Sequence, residues 1–207
     1  MMAAVCRKVR ERKDWLSELD AACGDGDHGV SVGRGFLAVE ELLPSWNGLT
    51  PGKLLCKAGM ALVSATGGAA GPLLGTLFLE AGKVVGERPV ISVADLAAMF
   101  EAGLAGIRKR GGASAGDRTL VDALMPAVDA LKKAADGGLT ALESLNCAVA
   151  AAKAGADATK QMLAKQGKSR YLGERVLGHP DPGACTMVIL FEGLAEGANA
   201  AAGPNTT

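Results

Sequence analysis

The chain has 207 residues, and its 22 lysine and arginine side chains are balanced by 22 aspartate and glutamate side chains. No linker-like stretch divides a chain of this length, so we predict a single domain over residues 1–207 with a flexible tail at about 202–207. The balanced charge provides no basic field for nucleic acid or an anionic membrane, and no stretch is apolar for the roughly 18 residues of a membrane span. We therefore expect no nucleic acid and no membrane as partner.

The five cysteines are odd in number, widely spread and without the CxxC spacing of a zinc site. This pattern argues against a disulfide framework, which is typical of small secreted domains. The N-terminus also lacks the apolar segment of a secretory signal. We therefore predict a cytoplasmic protein whose reduced cysteines lie in the core.

The composition favours helices over strands. Glycine supplies 29 residues, whereas the aromatic residues are limited to four Phe, two Trp and one Tyr. Small residues suit closely packed helices, and β-sheets favour aromatic and β-branched residues. The composition therefore predicts an all-α fold.

Helix start signals recur along the chain. Thr50-Pro51 is typical of an N-cap followed by proline at the first helical position, and Ser92 to Asp95 and Thr140 to Glu143 have the spacing of capping boxes. Together with the apolar periodicity, these signals predict about eight amphipathic helices. Their predicted ranges are 5–19, 29–43, 51–63, 72–84, 93–109, 119–135, 141–165 and 183–201.

Apolar spacing predicts which face of a helix is buried. In the second helix the residues with near-helical spacing are Val30, Gly33, Phe36, Leu37 and Leu43, and in the fifth they are Leu96, Met99, Phe100, Leu104 and Ile107.

The loops between these helices fall into two sets. Short connections make neighbouring helices antiparallel, so alternate loops should lie at the same end of the bundle. Ordinary turn residues make up the loops at one end, which are 44–50, 85–92 and 136–140. Glycine, aspartate, hydroxyl and basic residues are concentrated in the loops at the other end, which are 20–28, 64–71, 110–117 and 167–182. We predict that these four loops form one composite site.

Asp20, Asp25 and Asp27 form a carboxylate cluster interrupted by glycines. Three neighbouring carboxylates repel one another, and a divalent cation that prefers oxygen ligands offsets this cost. Magnesium is the predicted ion, because Phe36 stands where a calcium-binding EF-hand needs its bidentate glutamate. The alternative interpretation is an Asp/Gly surface turn that caps the second helix.

The segment His28 to Ser31 opens a helix directly after this cluster, so its free backbone N–H groups should face phosphate oxygens beside the metal. Gly67 to Gly71 precedes another helix without the pattern of a P-loop or a Rossmann fingerprint. Gly116-Asp-Arg-Thr119 and Lys168 supply cations for phosphate, and Asp181 is a candidate acceptor for ribose or adenine. The residues indicate no catalytic triad and no general base.

Four segments resemble the L subunit, or nucleotide domain, of dihydroxyacetone kinases. They are Leu19 to Gly29, Ser64 to Pro72, Gly116 to Thr119 and Ser169 to Ala184. The resemblance covers nearly the whole chain. It implies a barrel of eight antiparallel helices that holds ADP or ATP at one end through two Mg²⁺ ions.

The resemblance also implies the site residues. The implied metal ligands are Asp20, Asp25 and Asp27. The implied nucleotide-binding residues are His28, Gly29, Val30, Ser31, Ala69, Ala70, Gly111, Leu120, Lys168, Asp181, Pro182 and Gly183. Lys168 stands where arginine is common in the family, so it keeps the charge but loses bidentate phosphate geometry.

In this family a partner K subunit holds the dihydroxyacetone and the L subunit brings the phosphoryl donor, which explains the missing general base. In the phosphotransferase-dependent branch, ADP stays bound as a coenzyme and an M subunit rephosphorylates it. A homodimer of the L subunit is also allowed. Three alternatives stay open: a kinase subunit for another small ketose such as erythrulose, a nucleotide-sensing regulatory module, and a helical bundle that carries an apolar ligand within its barrel.

Overall fold

The structure is a computed structural model that describes residues 1–203. Residues 204–207 of the predicted tail lie outside the described residues, and Ala202 still belongs to the last helix. That the chain forms one domain stays a prediction.

The described residues form eight α-helices and no β-strand, which confirms the predicted all-α class. The helices are α1 (Met2–Cys23), α2 (His28–Leu42), α3 (Pro51–Ala65), α4 (Ala70–Val85), α5 (Val93–Gly111), α6 (Leu120–Asp136), α7 (Ala141–Ala158) and α8 (Pro182–Ala202). Short 3-10 segments lie at Leu43–Trp46, Thr159–Gln161 and Lys168–Val176. Within residues 1–203, none of the helices combines the length and apolar character that crossing a bilayer requires.

The eight helices close into a ring. Each helix contacts the next along the chain, and α8 returns to contact α1. The core fills the interior of this antiparallel barrel, where Phe100 of α5 and Phe191 of α8 have ring centroids 4.7 Å apart. Because successive helices alternate in direction, α2, α4, α6 and α8 all begin at the same end of the barrel.

Two helices differ from their predicted ranges by more than two residues. The first helix is longer than the predicted 5–19 and extends without a break from Met2 to Cys23. The seventh ends at Ala158 rather than at 165, because the Thr159 side chain makes hydrogen bonds that tie the end of this helix to the segment before α8. The Thr159 hydroxyl donates to the Ala156 carbonyl at 2.5 Å and accepts from the Asp181 backbone N–H at 2.8 Å.

The predicted capping boxes at Ser92/Asp95 and Thr140/Glu143 are both confirmed. A third box, Thr119/Asp122, begins α6 and was not part of the prediction. The prediction for Thr50 is wrong in one respect. Helix α3 begins at Pro51 as expected, but the buried Thr50 hydroxyl makes no capping hydrogen bond.

The buried face of α5 is confirmed, whereas that of α2 is only partly correct. Val30 is 61% exposed and Leu37 is 46% exposed. The reason is that Gly29 brings the α2 backbone against α1, where an added Cβ would lie 1.9 Å from the Lys13 carbonyl oxygen. This close approach turns Val32, Phe36 and Val39 inward.

The five cysteines are free thiols, as predicted. Cys6, Cys23 and Cys185 are buried and Cys56 is partly buried, but Cys147 is exposed on α7. The prediction that all five lie in the core is therefore wrong for Cys147.

Candidate functional site

The N-termini of four helices surround one cavity at the end of the barrel where the four unusual loops were predicted to meet. The cavity has a volume of about 470 Å³, which lies within the usual range for small-molecule sites. Its lining includes first-turn residues of all four helices: His28 of α2, Ala70 of α4, Leu120 of α6 and Pro182 of α8. Each helix N-terminus carries unpaired N–H groups and a partial positive charge, so the cavity end favours an anion.

The three predicted metal ligands are brought together at this end. Oxygen atoms of Asp20, Asp25 and Asp27 all lie within 4.8 Å of one another. Asp20 is buried and lines the cavity, while Asp25 and Asp27 are exposed to solvent. Clustered carboxylate oxygens are the ligands that Mg²⁺ prefers, so the residues present fit this ion.

The loop between α1 and α2 has the shape that this cluster needs. Gly26 has a φ of 78°, which other residues adopt only at a cost. At Gly24 an added Cβ would lie 2.3 Å from Asp20 Oδ1, so glycine leaves room for that carboxylate. Asp20 Oδ2 in turn accepts from the His28 backbone N–H at 3.1 Å, which fixes the start of α2 against the cluster.

Lys168, which begins the 3-10 segment before α8, contacts this cluster. Its ammonium group donates to Asp25 and, at 3.2 Å, to Asp27 Oδ2. The hydrogen bond from Lys168 lowers the pKa of Asp25, and the two carboxylates raise the pKa of Lys168. A cation of the protein therefore already partly balances the charge of the two exposed carboxylates.

His28 lies at the cavity wall, where its ring Nε2 is 2.8 Å from the Thr186 hydroxyl oxygen. Burial lowers the pKa of His28, and the nearby Asp20 and Asp27 oppose this effect. The partly buried His28 ring, which contacts Thr186, therefore forms part of the cavity wall.

The first turn of α2 provides fewer free amides than the sequence indicated. The His28 N–H is used by Asp20, and the Ser31 N–H donates to the Asp27 carbonyl at 2.9 Å. Gly29 and Val30 occupy the helix positions whose N–H groups have no carbonyl of the same helix to bond. These two amides are the candidates for phosphate in this turn.

The Asp181 side chain has a structural task that the sequence did not indicate. Its Oδ2 accepts from the Ala184 backbone N–H at 2.8 Å and so caps α8. Burial raises the pKa of Asp181 to about 6, although the hydrogen bond from Ala184 and the charge of Arg118 lower it.

Arg118 was predicted as a cation for phosphate, but the structure buries it. The residue is 1% exposed, and its Nη2 donates to the carbonyl oxygens of Val176 and His179 at 3.3 and 2.9 Å. Arg118 thus belongs to the cavity lining, and Nη2 of its guanidinium is engaged by two backbone carbonyls.

Most of the predicted nucleotide-binding residues meet in this one place. Eight of them line the cavity: His28, Ala69, Ala70, Gly111, Leu120, Asp181, Pro182 and Gly183. Gly29, Val30, Ser31 and Lys168 are not part of the lining; the first three continue α2 beyond His28, and Lys168 contacts Asp25 and Asp27.

The cavity lining also contains ten residues that the sequence did not single out for nucleotide binding, although several lie in the predicted site loops: Pro72, Leu73, Ile107, Arg110, Ala113, Thr119, Val121, Gln166, Gly167 and Ser169. The signal for Thr119 and Val121 was present, because a capping box starts α6 beside the Gly116 to Thr119 motif. The apolar side chains carry no chemical signal, since only the closed barrel turns them toward the cavity.

Comparisons with known proteins agree with this architecture. A family model described as the DAK2 domain matches residues 22–196. The ADP-binding subunit DhaL of the PEP-dependent dihydroxyacetone kinase of Escherichia coli (strain K12) is 38% identical over 182 residues, 88% of this chain and 87% of that subunit. The ADP-binding subunit DhaL of PEP-dependent dihydroxyacetone kinase 1 of Listeria innocua is 40% identical over 189 residues, 91% of this chain and 89% of that subunit.

Among solved structures, the dihydroxyacetone kinase from C. freundii in complex with AMP-PNP and Mg²⁺ is similar with a TM-score of 0.71 and 31% identity. The match covers 95% of this chain but only 33% of that kinase, so this chain corresponds to about one third of the longer protein. The matched family model spans most of the chain, and the identities to two bacterial subunits extend over nearly their full lengths. The chain therefore belongs to the DAK2 family, together with the ADP-binding DhaL subunits of bacterial dihydroxyacetone kinases.

Proposed function

We propose that this chain is the nucleotide-binding subunit of a dihydroxyacetone kinase, which holds ADP or ATP with Mg²⁺ at the cavity end of the barrel. The observation that carries the proposal is that a candidate metal site lies beside a candidate anion site. A cluster of three carboxylates suited to Mg²⁺ borders a cavity that the N-termini of four helices surround. One ligand that requires both a divalent ion and an anion-binding surface is a nucleotide with its phosphates.

The metal would be held by Asp20, Asp25 and Asp27, and we propose two ions. When bound, Mg²⁺ neutralises negative charge on the phosphate oxygens. The phosphates lie against the amides of Gly29 and Val30, and Lys168 supplies a cation for them.

The nucleoside would occupy the deeper part of the cavity. The adenine and ribose face Ala69, Gly111, Leu120 and the segment Asp181 to Gly183. These groups are mainly apolar or backbone, and this composition suits a flat base with a few polar contacts.

The acceptor ketose is proposed to come from a second chain. His28, the candidate base nearest to the cluster, is turned to Thr186 and has a lowered pKa because it is buried. A K subunit would hold dihydroxyacetone, and an M subunit of a phosphotransferase system would rephosphorylate a retained ADP. Because the K subunit selects the ketose, erythrulose would be distinguished by that chain. We place the reaction in the cytoplasm.

Calorimetry with Mg²⁺ and ADP tests this function. The wild-type protein should bind ADP with Mg²⁺ and much more weakly with EDTA, and a ligand at one hundred times its Kd should add about 2.7 kcal/mol to the free energy of unfolding. Asp25→Asn and Asp27→Asn should each lose this binding, because each removes a proposed metal ligand. Both variants should still fold, because the two residues are exposed and contribute little to packing.

Asp136→Asn is the matched control, because Asp136 ends α6 at the opposite end of the barrel. This variant should bind like the wild type. Equal ADP binding with and without Mg²⁺, or unchanged binding by both Asp25 and Asp27 variants, would refute the metal assignment.

A further inference from the structure

Arg118 is a buried cation that forms part of the cavity wall, and the proposed function gives it no task. Its side chain is completely withdrawn from solvent although it carries a full charge. Arginine is among the residues that are almost never fully buried unless they are paired, because removing a guanidinium from water is costly. Its position therefore requires a specific explanation.

The backbone of Arg118 is unusual as well. Its φ is 60°, and among residues 1–203 it is the only residue other than glycine with a positive φ. This left-handed conformation is unfavourable for a long side chain. Thr119 follows directly and caps α6, so the turn at Arg118 lies at the exact start of one cavity wall.

The contacts of the guanidinium lead to the opposite wall. Nη2 donates to the carbonyl oxygens of Val176 and His179, and Nη1 lies 4.0 Å from Asp181 Oδ1. Asp181 caps α8 through the Ala184 N–H, and the next two residues line the cavity. Arg118 thus joins the start of α6 to the segment that precedes and starts α8.

Arg118 makes these contacts without satisfying all of its donors. Nε and Nη1 are buried and make no hydrogen bond of good geometry within residues 1–203, although the guanidinium lies beside the Cys23 thiol of α1. Unpaired buried donors and a left-handed backbone both lower stability. A residue selected only for folding stability would not combine these two costs, whereas a residue that fixes the shape of a site can retain them.

We infer that Arg118 is a positioning residue that fixes the segment Asp181 to Gly183 against α6 and thereby shapes the nucleoside half of the binding site. This inference rests on the proposed function. The oxygen partners of Arg118 lie in the segment that precedes and starts α8, while Asp25 and Asp27 of the metal cluster contact Lys168. Loss of Arg118 should therefore harm recognition of the nucleoside more than recognition of phosphate and metal.

The test compares two ligands, Mg–ADP and Mg–pyrophosphate, by calorimetry well below the melting temperature of each variant. Arg118→Gln should bind Mg–ADP about tenfold more weakly or worse, with Mg–pyrophosphate changed by no more than about twofold. Arg118→Lys should lie between the two proteins because it keeps the charge and reaches one carbonyl at most. Arg108→Gln is the control, since Arg108 is an exposed arginine near the end of α5.

Hydrogen exchange without ligand provides the second readout. In Arg118→Gln, the backbone amides of residues 176–185 should exchange faster than in the wild type, because the carbonyl contacts and the partner of Asp181 are lost. If Arg118→Gln does not fold, the same two comparisons are made with Arg118→Lys.

The outcomes separate the alternatives. Equal loss of both ligands would overturn the inference, and so would faster exchange with unchanged Mg–ADP binding, which indicates a role in folding alone. Weaker Mg–ADP binding with unchanged exchange would also overturn it, because it indicates direct contact with the nucleotide. Failure of the wild type to bind Mg–ADP would refute the proposed function and this inference together, whereas variants that bind like the wild type would refute this inference alone.

Discussion

Lys168 donates hydrogen bonds to Asp25 and Asp27, the same two carboxylates that we propose as metal ligands. A cation in this position offsets the repulsion between the carboxylates when no other cation is bound. It also competes with a metal ion that arrives alone. Phosphate from a nucleotide offers Lys168 a different anionic partner, so the ion and the nucleotide should bind better together than separately.

This arrangement predicts opposite effects for one substitution. Lys168→Gln should bind Mg²⁺ alone more tightly than the wild type, because its competitor is gone, and should bind Mg–ADP more weakly, because a phosphate contact is lost. Titration calorimetry measures both affinities. Lys165→Gln is the control, since Lys165 pairs with Asp117 in the same part of the chain. A fall in both affinities would contradict the competition.

The buried Asp181 predicts a particular pH dependence. Its pKa is raised from 3.8 to about 6 by burial, so between these pH values the folded protein holds the proton more tightly than the unfolded chain. The contribution of Asp181 to the free energy of unfolding should therefore fall as pH rises through this window. Asp117 has the opposite effect at lower pH. Hydrogen bonds from Ser114 and Lys165 lower its pKa, so its contribution to the free energy of unfolding is lost as pH falls.

Asp181→Asn should remove this dependence and keep the cap of α8, because asparagine also accepts at an N-cap. Urea unfolding in EDTA at both ends of the window measures the effect. The stability advantage of the variant over the wild type should grow as pH rises. Parallel stability curves for the two proteins would show that Asp181 is not protonated in this range.

At the scale of helices, the capping signals and the apolar periodicity of α5 were sufficient to predict the elements correctly. The face of α2 was not, because Gly29 and Gly35 allow contacts that a hydrophobic pattern does not record. An added Cβ at Gly35 would lie 1.9 Å from the Thr66 hydroxyl oxygen. Close backbone approach, rather than side-chain hydrophobicity, therefore determines the orientation of this helix.

Close backbone approach also determines the effect of a substitution between α6 and α7. At Gly155 an added Cβ would lie 2.2 Å from the Asp122 carbonyl oxygen and 2.9 Å from Pro126 Cγ. Gly155→Ala should cost about 1–3 kcal/mol through overpacking, and each kcal/mol lowers the melting temperature by about 2–4 °C in a protein of this size. Differential scanning calorimetry measures this change.

Gly33→Ala is the matched control in α2. There the nearest atom to an added Cβ is Lys13 Cβ at 3.3 Å, and the rest of that side chain is flexible. Alanine is the better helix former, so this variant should be at least as stable as the wild type. Equal melting temperatures for the Gly155 and Gly33 variants would contradict the packing argument.

At the scale of the whole molecule, the sequence was sufficient to predict the all-α class and the end of the barrel at which the unusual loops meet. Short connections alternate the direction of the helices, so the end at which each loop lies follows from helix order. The prediction did not extend to Arg118, Asp181 and Lys168. The hydrogen bonds of Arg118 and Lys168 join residues that are distant in sequence, and burial determines the charge environment of Arg118 and Asp181.

The central claim is that this chain carries the phosphoryl donor and that another chain carries the acceptor. The most direct measurement is the formation of dihydroxyacetone phosphate from ATP, Mg²⁺ and dihydroxyacetone by the purified chain, before and after addition of a K-type subunit. If ATP serves poorly, an M-type subunit and its phosphoryl source are added as well. We predict background product from the chain alone, rapid product formation once the partner is present, and loss of that activity in Asp25→Asn. Robust turnover by the isolated chain that survives further purification and disappears in Asp25→Asn would contradict the division of labour, and no turnover with any partner combination would contradict the proposed function.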